Sequence, residues 1–508
     1  MDNIGVGSWL RRRLPKSGSK TALLSGEQRT SYADLAERTE RLANAFQRRG
    51  VARGDRVAYL GENHPAFFET FFACGLLGAI FVPLNTRLTA PELQFQLHDC
   101  GVSLLVHSAQ LDTLAVAATD GTGVRTRLSV DKDPDAKVAG SHEAALGAAP
   151  ADPIQEKVGL DDGAIILYTS GTTGKPKGAL LTHGNITWNC INVLIDMELS
   201  RDDVALLISP LFHVASLDMG LLPMLLKGAT IVIEEKFDPS RALALIQRHG
   251  VTTLNGVPTT FQMIAEHPDW PSADLSSLQK LTCGGSPVTG RVLEAYESRG
   301  IHFTSCYGMT ETAPGVTMLP AERSLEKAGS AGLTHFFTQM RIVDPLGLTA
   351  GPGDVGEIQI SGPNVMCEYW NRSDATRDAY ADGVWFRSGD MGYGDDEGFL
   401  FVSDRLKDMI ISGGENIYPA EVESAIAELE AVAAVAVIGV PDAKWGEVPR
   451  AVITVRSGAS LTEDQVRAHL DRRLARYKVP KTVVFVSEMP RTASGKIRKA
   501  DLRRQYAS

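Results

Sequence analysis

Short apolar runs alternate with helix-length stretches from Thr30 to past residue 300, and few folds accommodate such an order. Residues 55–60, 79–84, 103–107, 204–208, 229–233, 252–255, 280–283 and 302–306 are short and rich in β-branched side chains, so they read as buried strands. Between them apolar residues recur at helical spacing. After Thr30 and Ser31, a hydroxyl cap and Asp34 in the first turn open a helix that continues through Leu42, Ala45 and Phe46. The most apolar window, 66–84, is interrupted by Glu69, two glycines and Pro83, so a buried helix over 66–77 running into a strand is expected rather than a membrane span. Parallel strands need helical crossovers. The fold class is therefore α/β, with parallel sheets covered by helices in αβα layers.

At 508 residues the chain exceeds what one hydrophobic core serves. The acidic, glycine-rich stretch 344–356 reads as a hairpin turn beginning a small region of short strands that includes 398–402. Past residues 404–408 comes a self-contained block: strand 410–411, a Gly-Gly turn, helix 419–428, strand 431–438, helix 463–474 and strand 482–486. That is about a hundred residues, enough for a small α+β domain. The composition, 44% apolar and 22% charged, is that of an ordinary globular enzyme. Six cysteines at 74, 100, 190, 283, 306 and 367 show neither a CxxC nor the His spacing of a zinc site, and read as buried thiols in a reducing cytoplasm. No apolar leader opens the chain, so a cytoplasmic protein is expected. A net charge of −10 argues against nucleic acid as a partner. The block past 406 is nonetheless basic, with eleven Lys/Arg against two Asp/Glu between Arg472 and Arg504. That excess fits a solvated helical face, and it also fits a phosphorylated, diffusible substrate.

One loop bears directly on chemistry. The apolar run Ala164 to Leu167 leads into Tyr168, Thr169, Ser170, Gly171, Thr172, Thr173, Gly174, Lys175, Pro176, Lys177 and Gly178. Glycines allow positive φ and bare N–H groups, the hydroxyls add donors, and the lysines add charge, a set suited to cradling a polyphosphate. It is not a Walker A loop, since no glycine stands five residues before Gly174 and Pro176 follows the lysine.

These eleven residues match the signature of the adenylate-forming superfamily, and over roughly 30–504 the chain resembles its acyl-CoA synthetases. The resemblance implies ATP, Mg²⁺ and CoA, a body over 1–404, a hinge at 405–407 and a mobile lid over 408–508. It gives Thr169 to Lys175 the phosphates. Gly284, Gly285, Ser286 and Pro287 are implied to pack on adenine. In the stretch Tyr307, Gly308, Met309, Thr310 and Glu311, Thr310 would meet the α-phosphate and Glu311 the metal, a hard cation that prefers carboxylate oxygen. Asp390 would accept the ribose hydroxyls with Arg405 beside it, and Ser388 stands where the family has threonine. Lys496 is implied to bridge carboxylate and α-phosphate. Ser412, Gly413, Gly414 and Glu415 would line the pantetheine tunnel, with Trp445 flanking it. Rotation about Lys407 would exchange these two faces of the lid over one adenylate.

For the acid, the resemblance points to the residues past His213, itself a gate beside the carboxylate, together with the strand at Gly284 and the loop 307–314. These segments are largely small and apolar, and no arginine awaits a second carboxylate. A medium- or long-chain fatty acid is the expectation, with an aryl or alicyclic acid, or loading of a carrier protein, as alternatives. The 508-residue length without an appended carrier favours free CoA. A binding protein that has lost turnover is disfavoured by Thr310, Glu311, Asp390, Arg405 and Lys496. The run Arg11, Arg12, Arg13 could give weak contact with an anionic membrane or simply end a solvated helix. A homodimer is compatible with the sequence.

Overall fold

The computed structural model describes residues 3–130, 140–169, 176–285, 288, 290–405, 408–412, 415–442, 444–471, 473–492 and 497–506, without the side chains at 404–405 and 415–416. Two large sheets make the body. In the first, the spatial order is Glu368–Tyr369, Lys177–Thr182, Gly163–Thr169, Ile80–Leu84, Arg56–Leu60, Val102–Ser108 and Thr126–Val130. Its last five strands are parallel. The second has nine strands, with the parallel set Phe303–Gly308, Lys280–Gly284, Thr253–Gly256, Val204–Leu207, Thr230–Ile233 and Thr21–Ser25 at its centre. The expected α/β class is the one observed, and each of the eight strands expected between residues 55 and 306 lies within two residues of its place.

Helices cover these sheets for local reasons. Ser31 and Asp34 form a reciprocal capping box for the helix Tyr32–Arg48, whose buried stripe includes Leu35, Leu42, Ala43 and Phe46. The helix Pro65–Leu77 is buried all round and ends at Gly78 in the left-handed region, so the most apolar window is interior packing. Among the described residues no helix is long and apolar enough to cross a membrane. The three arginines bond inward: Arg11 to Glu40, Arg12 to Ser8 and the Asn3 carbonyl, Arg13 to the Leu226 carbonyl. Four cysteines are buried as expected, but Cys306 is half-buried and Cys367 exposed.

The stretch 344–356 joins Gln339–Val343 to Gly356–Ser361, so the short-stranded region begins before it rather than at it. The smaller C-terminal sheet is mixed. Its long hairpin, Val432–Asp442 with Gly446–Val455, extends the expected strand by four residues and adds one the sequence did not suggest. Pro449 reads as a strand breaker, yet it pairs with Gly439 on one side and precedes Arg450, where the parallel neighbour Thr482–Phe485 joins on the other. The expected helix 463–474 ends at Leu470, where the chain turns and Arg473 pairs with Glu428.

The N-terminal turn Val6–Ser8 meets the helix Pro65–Leu77 glycine to glycine: a Cβ on Gly7 would lie 2.2 Å from the Gly75 carbonyl carbon. Gly7→Ala is expected to force the two backbones apart and cost about 1–3 kcal/mol, read as a lower denaturant midpoint beside an exposed control such as Gly147→Ala.

Candidate active site

The site forms where strands end. Gly163–Thr169 and Lys177–Thr182 are antiparallel, with Thr169 opposite Lys177, so the loop between them is a hairpin loop and not the strand-to-helix turn of a Walker A site. Thr169 is half-buried, while Ser170, Gly171, Thr172, Thr173, Gly174 and Lys175 lie outside the described residues. Lys177 holds its ammonium 5.1 Å from the centroid of the Tyr369 ring.

In the nine-stranded sheet, Gly284 ends its strand against Cys306, whose sulfur would stand 2.9 Å from any added Cβ. Gly285 follows with φ +87°, a conformation that glycine alone adopts freely. Ser286 and Pro287 lie outside the described residues. Tyr307 and Gly308 close the next strand, and at Gly308 a Cβ would meet the Pro314 carbonyl oxygen at 1.6 Å. The chain then folds back on itself. Met309 N–H donates to Pro314 O at 3.1 Å, Thr312 donates its hydroxyl to Pro314 O at 2.7 Å, and Thr310 and Glu311 sit in the single helical turn between.

Two of the singled-out residues meet directly. Tyr307 donates its phenol to Asp390 Oδ2 at 2.8 Å, linking the nine-stranded sheet to the short-stranded region. Asp390 is buried and pairs in register with Arg405 on the next strand. Ser388, the residue in place of threonine, accepts from Asp390 N–H at 3.0 Å and donates to Ile358 O, so its hydroxyl fixes the bend at Gly389. Tyr369, which the motifs did not single out, donates to Glu311 Oε1 at 2.8 Å. Burial, and then the Glu311 charge, hold that phenol well above its ordinary value, so it remains a donor at any working pH.

Three further residues escaped the sequence reading. Asn185, Asn189 and Asn192 stand at i, i+4 and i+7 on the helix His183–Asp196 and are all buried. Asn189 accepts Gly315 N–H at 3.0 Å, Asn192 accepts Phe337 N–H at 3.0 Å, and Asn185 donates to Pro363 O and Val365 O at 2.8 Å each. Buried Asn364 completes the set, donating to Thr312 O and Gly315 O. The signal was present as a helical stripe of one polar residue type, but such a stripe ordinarily reads as a solvated face.

His213 is half-buried before a π-helical segment, Ala215–Leu221, with its ring beside Phe212. In the smaller sheet, Ser412 is buried and pairs with both Glu415 and Gly446, which brings Trp445 to the edge of the same hairpin. Trp445 is 42% exposed under the ammonium of Lys444. Gly413, Gly414, Lys407 and Lys496 lie outside the described residues. Arg491 and Ile497, which flank Lys496 in the sequence, form an isolated antiparallel bridge.

No cluster of three metal-ligating side chains occurs among the described residues. A lone, half-exposed carboxylate held by a phenol suits Mg²⁺, which is commonly bound through one or two carboxylates plus substrate phosphates rather than by a protein cage.

Residues 10–370 match the AMP-binding enzyme family and 421–496 the AMP-binding enzyme C-terminal domain, and the chain belongs to that family. A feruloyl-CoA synthase of an Amycolatopsis species is 50% identical over 506 residues, 100% of each chain. The indoleacetate–CoA ligase of Aromatoleum aromaticum is 44% identical over 99% of this chain and 98% of that one. A long-chain-fatty-acid–CoA ligase of Mycobacterium tuberculosis is 38% identical over 100% and 99%. Among solved structures, o-succinylbenzoate coenzyme A synthetase from Bacillus subtilis in complex with ATP and magnesium matches with a TM-score of 0.87 at 34% identity, covering 98% and 99%. The protein is an acid–thiol ligase that joins a carboxylic acid to CoA through an acyl-adenylate, with ATP and Mg²⁺.

Hydrogen bonds to charged groups contribute about 1.5–3 kcal/mol. Tyr307→Phe is therefore expected to weaken ATP binding by about tenfold or more, read as a raised KM for ATP with the acid KM unchanged.

Proposed function

We propose that the acid is aromatic and that the chain is an aryl acid–CoA ligase. The observation that carries this reading is that the two relatives at 50% and 44% identity are both named for aromatic acids, whereas the fatty-acid ligase stands at 38%. The small, apolar segment past His213 supports it too, since a planar ring needs width more than length. A medium- or long-chain fatty acid is the second reading, favoured by the 38% relative, which covers this whole chain.

In the proposed mechanism the substrate carboxylate, already a nucleophile, attacks the α-phosphorus of ATP and pyrophosphate leaves. Positioning and charge stabilisation supply the rate. Asp390, oriented by Tyr307, receives the ribose, and the backbone at Gly284 and Gly285 lies flat against adenine. Thr310 donates to the α-phosphate. Glu311, oriented by Tyr369, would hold Mg²⁺, whose charge offsets that building on the phosphates. Lys496 approaches the carboxylate and α-phosphate in this step. The lid then turns about Lys407, and the hairpin of Ser412, Gly413, Gly414 and Glu415 presents the CoA thiol beside Trp445. The thiol sulfur bonds to the acyl carbon, its proton is lost, and AMP leaves.

Lys496→Ala is expected to slow adenylation by about 10²–10³-fold while thioester formation from supplied acyl-adenylate falls by less than threefold. Equal loss in both half-reactions would overturn the two-face lid. A panel of cinnamates, indoleacetate and C4 to C18 fatty acids, read by AMP release, tests the acid. The aromatic reading fails if kcat/KM is higher for every fatty acid than for any aromatic one.

A further inference from the structure

The small, apolar segment past His213 conceals one carboxyl. Asp218, in the π-helical Ala215–Leu221, is fully buried, and neither of its carboxyl oxygens meets a hydrogen-bond partner among the described residues. Burial alone drives its carboxyl far toward the protonated form. Leaving a buried polar group unpaired costs about 1–3 kcal/mol, so a carboxyl kept there in place of a leucine calls for a reason.

Its position supplies one. The π-helical segment packs over the carboxyl ends of Val204–Leu207 and Thr253–Gly256, with Ser216 donating to Ser209 O at 3.0 Å and Gly220 against the Asn255 amide. Ligands of open parallel sheets bind beyond such strand ends. The Asp218 carbonyl accepts from Asn189 Nδ2 at 2.8 Å, and the same amide holds Gly315 behind the Thr310–Glu311 turn. Asp218 therefore stands about one π-turn beyond His213, tied by one side chain to the turn that faces the nucleotide. Isolated π-turns of this kind occur often at functional sites.

We propose that Asp218 is the polar end of the acid pocket, where its enclosed, unpartnered carboxyl exchanges hydrogen bonds with a hydroxyl on the ring of an aromatic acid. The proposal rests on the aromatic reading above and sharpens it to ring-hydroxylated acids. A protonated carboxyl and a phenol each offer one donor and one acceptor, so they satisfy each other, and a carboxylic acid kept neutral by an apolar site serves elsewhere as such a donor. A methylene chain in the same place would leave Asp218 unpaired.

The test compares 4-hydroxycinnamate with cinnamate by AMP release in the intact chain. Wild type is expected to prefer the hydroxylated acid by up to about 10²-fold in kcat/KM, since cinnamate leaves the buried carboxyl unpaired. Asp218→Leu, which removes the buried carboxyl and keeps the volume, should bring that ratio to within threefold of one with cinnamate turnover retained, and Asp218→Asn should keep most of the preference. Because the ratio is internal to each variant, a general loss of stability does not move it, and Asp218→Ala gives the same readout if Asp218→Leu does not fold. A preference unchanged in Asp218→Leu or Asp218→Ala overturns the role of Asp218 alone. A wild type that adenylates neither acid overturns the aromatic reading and this proposal with it.

Discussion

The turn that carries Thr310 and Glu311 is held by buried amides, and the rest of the site is arranged around it. Asn364 donates to Thr312 O at 2.8 Å and Gly315 O at 2.7 Å, while the Thr338 hydroxyl donates to Asn364 Oδ1 at 2.9 Å. Asn189 takes the Gly315 N–H from the other side. Each such bond contributes only about 1 kcal/mol net, but a missing partner would cost the desolvation of a buried group. A buried network that is fully satisfied therefore favours one geometry more than it adds stability. Asn185, Asn189 and Asn192 on one helix face reach three separate segments, 363–365, 315 and 337–338, so a single helix sets the places of pieces far apart in the chain. Gly308 completes the constraint, since the folded-back turn leaves no room for a Cβ there.

Most of the body was legible in the sequence because its signals are local. Strands such as Ile80–Leu84 and Lys280–Gly284 are buried on both faces, so they stand out as continuous apolar runs, and the helix Tyr32–Arg48 announces itself through its cap. The misses arose where a tertiary contact outweighed a local preference. Pro449 is tolerated because its own ring lies one residue short of the strand that pairs from Arg450 onward. The helix Glu463–Leu470 stops early although Leu474 keeps the spacing, because Leu474 stays only partly buried against the small core.

The candidate site was legible as motifs and not as a geometry. Tyr307 and Asp390 were each read from their own strand, but the bond between them spans 83 positions and joins two sheets, which no local pattern encodes. Tyr369 carried no motif at all, and its tie to Glu311 follows from the short strand Glu368–Tyr369 pairing onto Lys177–Thr182. The segment past His213 was read as largely small and apolar by composition. Asp218 stands in that segment in plain sight; that its carboxyl is fully enclosed and unpartnered among the described residues is a fact of packing that the string of letters does not carry.

The same physics that makes the site rigid stops short of the C-terminal block. Among the described residues, none of the buried apolar clusters spans residue 404: three hold residues from 402 or earlier, two hold residues from 410 onward. Among the described residues, the ion pair that crosses between them is Arg456 with Glu266 at 3.0 Å, with both side chains partly exposed. Pairs of that kind contribute about 0.2–1 kcal/mol, which is close to thermal energy. For the proposed turning of this block, differential contacts with ATP or with CoA would be what chooses between orientations. In the proposed two-step mechanism, a rigid adenylate turn and a lid able to turn are complementary requirements. The first keeps the intermediate in register while the second changes what faces it.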